Sequence, residues 1–148
     1  MATNPDTRLL QTALTLIEGY NKWDIDAIMA PRAPNCVQRV YPARLDRPSL
    51  TNDEYRSYFA SLMPLIEGFT VTVLDTVVDA KAHMVAIYAK SRATTAIGPY
   101  GNEYSLFLRM TEDDTQIIEF KEFVDSEYSQ NYFAKLREHH AKGKEEGQ

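Results

Sequence analysis

Residues 98–126, GPYGNEYSLFLRMTEDDTQIIEFKEFVDS, constrain the fold more than any other part of the chain. They predict two long strands joined by the acidic turn Glu112-Asp113-Asp114 and leading into a final helix. A strand buried on one face alternates apolar and polar residues. Here both faces are mixed, because Glu103, Arg109, Glu119, Lys121, Glu122 and Asp125 stand among the apolar residues. Whichever face is covered therefore buries charge. A stranded carboxylate is costly unless it is paired or protonated, so such residues belong to a functional pocket or to a network.

The segments before this pair supply helices and more strands. Asn4-Pro5-Asp6 is an N-cap followed by a first-turn proline and an acid, and Leu9, Leu10, Ala13, Leu14, Ile17 and Tyr20 recur at helical spacing. Gly19 is expected to loosen the end of that helix. Asp24 caps a short helix closed by Pro31, and residues 36–41 predict a strand stopped by Pro42. Thr51 to Glu54 form a capping-box pattern ahead of a helix that Pro64 stops. Strands are expected from Phe69 to about Val78 and from Met84 to about Arg92, then a loop over Thr94–Gly101. Asp125 or Ser126 caps the last helix. Residues 1–138 are expected to form one domain and 139–148 a polar, disordered tail. This order predicts an α+β domain: a curved antiparallel sheet folded over N-terminal helices, with a conical cavity between the layers.

Composition narrows the function. A net charge of −5 with no basic stripe argues against nucleic acid as a partner. The apolar runs are far short of a membrane span, and MATNPDTRLLQ shows no secretion signal. A single cysteine, Cys36, excludes an internal disulfide and fits a reducing cytosol, so a cytoplasmic location is expected. Three histidines without metal-ligand spacing, and no glycine-rich phosphate loop, give no support for a metal or a nucleotide cofactor. Nine Tyr, six Phe and one Trp suit the lining of a cavity that is apolar yet hydrogen-bonds.

RLLQTALTLIEGYNKWDIDAIMAPR at 8–32, NDEYRSYFASLMP at 52–64, GPYGNEY at 98–104 and EFVDSEY at 122–128 carry a family resemblance. The chain resembles the SnoaL-like branch of the NTF2-like superfamily, and within it the fungal meroterpenoid isomerases and cyclases of the terretonin and austinol type. The resemblance implies a cofactor-free enzyme with a hydrophobic cone. It also implies a homodimer packed through the outer sheet face. The implied chemistry is proton transfer on an oxygenated polycyclic substrate: enolisation, retro-Claisen cleavage, lactonisation or ring expansion. A non-catalytic module of the same fold, binding a small hydrophobe or serving dimerisation, is the alternative.

Strand alternation leaves two sets on the last strand: Ile118, Phe120, Glu122 and Val124, or Ile117, Glu119, Lys121, Phe123 and Asp125. The first holds a lone acid among large apolar groups, and comparison with the related ketosteroid isomerase points it inward. The same comparison points Glu103, Ser105 and Phe107 inward on the preceding strand, and Val37, Arg39 and Tyr41 on the first.

Glu122 is the expected general base, since an apolar surround raises a carboxyl pKa toward neutrality. The competing role is a structural ion pair with Arg39 or Arg109. Glu103 is a second carboxylate, or a tether for the 98–101 loop. Tyr41 would donate to a developing enolate, or fill the rim. Arg39 would bind substrate or balance the charge of Glu122. Phe107, Phe120, Ser105, Tyr58, Trp23 and Asp125 are expected to contact substrate, Asp125 being also a helix cap. Cys36 reads as a buried structural thiol.

Overall fold

The computed structural model describes residues 4–147. Residues 1–3 and 148, the start of the segment read for a leader and the end of the expected tail, lie outside the described residues. The first helix, α1 (Pro5–Lys22), starts where the Asn4 side chain accepts the Asp6 N–H at 3.0 Å. It ends at Trp23, which adopts a left-handed conformation with φ 53°. Gly19 does not loosen this end but fits it tightly. A Cβ there would lie 2.6 Å from the Ala27 carbonyl oxygen, so only glycine lets α1 meet α2 (Ile25–Met29) backbone to backbone. The capping box of Thr51 and Glu54 opens α3 (Asn52–Leu62) as expected, and Pro64 sits in a single 3-10 turn that follows it.

Five strands form one sheet in the order β1-β5-β4-β3-β2: β1 (Arg32–Tyr41), β2 (Glu67–Asp79), β3 (Met84–Thr95), β4 (Gly98–Met110) and β5 (Ile117–Val124). The sheet is mixed rather than antiparallel, because β1 runs parallel to β5. The β3–β4 ladder is unbroken, whereas the other three pairs each carry a register shift. Such irregularities bend strands and help the sheet curve over the helices. β1 begins four residues earlier than expected, and the expected 94–101 loop shrinks to Ala96-Ile97, with Gly98 at φ 114° beginning β4.

Leu9, Ala13 and Leu16 of α1 pack on Val85 and Ile87 of β3 and Leu108 of β4, all but sealed from water. No helix among the described residues is long and apolar enough to cross a membrane. The polar residues from His139 onward are not a structureless tail: α4 runs from Ser126 to Glu146. Leu136 anchors it in the core, and Glu138 and Lys142 stand at the i,i+4 spacing that supports an exposed helix.

Candidate active site

The sheet's inner face and helices α1, α3 and α4 enclose a cavity of about 400 Å³. Alternation on β5 turns Phe120, Glu122 and Val124 into it and leaves Glu119, Lys121 and Phe123 on the outer side, as expected. Ile117 is nevertheless fully buried, because the shift between Arg109 and Met110 makes Ile118 an extra residue and resets the phase.

Among the described residues Glu122 is the only acid lining the cavity. It receives one hydrogen bond, from Gln38 Nε2 at 3.1 Å, and makes no salt bridge among the described residues. Its remaining accessible surface faces the cavity, and burial raises its pKa above the ordinary value. The Gln38 hydrogen bond and the charges of Arg32 and Arg47 offset only part of that rise. The structural ion pair is excluded by placement. Arg39 is exposed on the outer face, and Arg109 faces Glu119 at 3.9 Å and the Ala82 carbonyl at 3.3 Å.

Four phenols surround this carboxylate. The Tyr20 and Tyr55 hydroxyls hydrogen-bond each other, and Arg32 Nη2 donates to Tyr20 at 3.3 Å. The Arg32 guanidinium lies 4.2 Å from the Tyr55 ring centre and 5.2 Å from that of Phe120. On β4, Asn102 Nδ2 donates to the Tyr100 hydroxyl at 3.1 Å, and Tyr104 bonds Ser91 Oγ at 2.7 Å. Asn102 is fixed in that orientation because its carbonyl accepts the N–H groups of Glu103 and Asp125. Burial, with the nearby Glu122 charge, pushes all four phenols up, so they remain donors at neutral pH. Above them Trp23 stacks on Phe69 with ring centres 4.7 Å apart.

The phase expected for β4 and β1 is corrected. Glu103, Ser105 and Phe107 lie on the exposed outer face, where Glu103 accepts from Tyr88 and Phe107 meets Phe123. Val37 and Arg39 likewise do not line the cavity, and Tyr41 stacks on Phe123 outside it. The inward residues are Tyr100, Asn102, Tyr104 and Leu106 on β4, with Gln38 and Val40 on β1. Glu122 and Glu103 thus stand on opposite faces. Asp125 is the exposed N-cap of α4, accepting the Tyr128 N–H at 3.3 Å. Trp23, Tyr58 and Phe120 do line the cavity. Cys36 is buried beside Arg32, and burial raises its thiol pKa.

No protein-family model matches the chain. Austinoid biosynthesis cluster protein J of Aspergillus calidoustus is 38% identical over 122 residues, covering 80% of this chain and 74% of that protein. The chain belongs to this family of fungal austinoid-cluster proteins. The BvnE pinacolase from Penicillium brevicompactum shares the structure with a TM-score of 0.87 and 28% identity, over 93% of this chain and 95% of that one. A SnoaL-like polyketide cyclase from Jannaschia shares the fold, with a TM-score of 0.68 and 15% identity over 84% of this chain and 90% of that one. The NTF2-like α+β cone of the family is therefore the architecture of this chain, and the buried carboxylate with its phenols sits inside that cone.

Proposed function

We propose that the protein is an acid–base isomerase or cyclase acting on an oxidised polycyclic meroterpenoid intermediate. Glu122 carries the reading: a carboxylate held by one neutral amide, raised in pKa by burial, and open to a cavity lined mainly by apolar and phenolic side chains. That is the environment of a base for an O–H proton or for a C–H proton beside a carbonyl. Once Glu122 takes the proton, the electron pair moves onto the substrate's carbonyl oxygen or drives cleavage of the neighbouring bond. Tyr100 and Tyr104 donate to the oxyanion that develops. The carboxylic acid of Glu122 then returns its proton to the rearranged carbon or oxygen, so the enzyme ends as it began. Enolisation, retro-Claisen cleavage, lactonisation and ring expansion all follow this proton inventory. The relatives' assignment to an austinoid cluster supports the substrate class, and the likeness to a pinacolase supports a rearrangement as the reaction type.

Two further parts of the reading concern setting. The outer sheet face, with Phe123 against both Tyr41 and Phe107 and with Val77 65% exposed, is the surface proposed to pair two copies. The single buried thiol, Cys36, fits the reducing cytosol.

Incubation of the purified protein with oxidised meroterpenoid lactones in D2O tests the activity. A product isomeric with the substrate, or its water adduct, that carries deuterium from solvent and is heavier by that deuterium is the expected result. Saturable binding without turnover across the panel would overturn the reading in favour of a binding module.

A further inference from the structure

The cavity is lined by three charged side chains: Glu122 within it, and Arg47 and Arg137 on exposed positions at its opening. Neither arginine has an ion-pair or hydrogen-bonding partner among the described residues. On α4, Ser129, Phe133 and Arg137 line the cavity at four-residue spacing, which places Arg137 on the helix face turned toward the site. Its neighbours three and four residues away are Ala134, His140, Phe133 and Ala141, so no acid on the helix can pair with it. Arg47 comes from the segment between β1 and α3, which Arg44 ties to the start of α4 through a 3.2 Å hydrogen bond to Ser126 Oγ. With Pro48 and Leu50 of the same segment, Arg47 lines the cavity. Two guanidinium groups, neither paired among the described residues, therefore line one cavity in a chain whose net charge is −5.

From this placement we infer that the substrate presents a carboxylate at the cavity mouth, received by Arg47 and Arg137, while its apolar polycyclic body lies against Trp23, Phe69 and Phe120. The inference rests on the cavity being the substrate site and adds an acid function to the substrate class. Guanidinium groups are the side chains best matched to a carboxylate, and a neutral ester or lactone at the same place would gain little from them. The body fixes how deep the ring system sits, and the carboxylate fixes which end faces Glu122. Orientation of this kind selects one acidic proton among several on a polyoxygenated skeleton.

Trp23 is the chain's single tryptophan and lines the cavity, so its fluorescence reports occupancy directly. Abietic acid, a tricyclic terpenoid carboxylic acid, and its methyl ester are suitable probes because they share the ring system while the ester lacks the negative charge. The expected result is saturable binding of both, the acid binding about tenfold tighter, as a charge-assisted hydrogen bond provides. That preference should vanish in the double variant R47A/R137A and persist in R47K/R137K. Equal binding of acid and ester would overturn the carboxylate while leaving the cavity as the binding site. A Trp23 signal unchanged by either probe would overturn both. Circular dichroism of the variants guards against misfolding, which is not expected at two exposed positions.

Discussion

Gln38 Nε2 stands 3.1 Å from Glu122 Oε2, and this single amide is the direct partner of the one acid that lines the cavity among the described residues. The contact crosses the parallel β1–β5 pair, in which Gln38 aligns with Phe120 and Val40 with Glu122. A neutral partner orients the carboxylate without neutralising it. An arginine there would hold the group ionised and make it a weaker base.

Stability should carry the signature of that burial. The pKa of Glu122 is raised above its ordinary value of 4.5, so the folded state holds this proton to higher pH than the unfolded chain does. With more protons bound in the folded state, its contribution to stability falls as pH rises from about the unfolded value through the folded one. Thermal melts of the wild type and of E122Q across pH 4 to 8, each range being a roughly chosen window around that titration, check this. The variant should lack the decline. Turnover should rise over the same interval, because the base works ionised, and its acid limb should lie above that of an ordinary glutamate.

Tyr100→Phe and Tyr104→Phe each remove a donor beside Glu122. If these phenols hold the developing oxyanion, each variant should lose about a hundredfold or more in kcat, with KM changing far less. Steady-state kinetics separates the two effects. A loss confined to KM would assign the hydroxyls to ground-state binding instead.

Glu103 provides a control. It lies on the outer face, bonded to Tyr88 at 2.9 Å, so Glu103→Gln should turn over within about twofold of wild type, as surface changes usually do. A large loss in initial rate would show that the outer face shares in the chemistry.

Gly19→Ala tests the crossing that sets the first helix. The added methyl would meet the Ala27 carbonyl at 2.6 Å, and the backbone must move to admit it. A destabilisation of about 1–3 kcal/mol is expected in denaturant unfolding. Because Tyr20 and Trp23 follow directly on the same helix, Trp23 fluorescence should shift as well.

Elements were legible in the sequence where local chemistry fixes them. The Asn4, Asp24, Thr51 and Asp125 caps all form, since each satisfies backbone N–H groups within its own turn. Glu122 was legible because it stands alone among large apolar residues on one face of β5. The phase of β4 was not, since Tyr100, Asn102 and Tyr104 and the set Glu103, Ser105 and Phe107 both mix polar and apolar groups. What decides it is pairing: Leu106 lies opposite Glu122 and Ser105 opposite Phe123, and directly opposed residues share a face. That register depends on the extra residue Ile118, which leaves no local mark. Arg32 was missed for a different reason. It is 5% exposed, in a strand that starts earlier than its β-branched residues suggest, and arginine is rarely so buried. The persistence of α4 beyond His139 is the converse case, a polar segment that stays helical although its composition suggests a disordered tail.

The most direct test of the central claim is the turnover of Glu122→Gln, measured alongside its melting temperature on a meroterpenoid lactone that the wild type rearranges. A fall of about 10²- to 10⁴-fold in rate, with a melting temperature unchanged or raised by loss of the buried charge, is the predicted result. Full turnover by a folded Glu122→Gln protein would contradict the account, because no second acid among the described residues lines the cavity to take the proton.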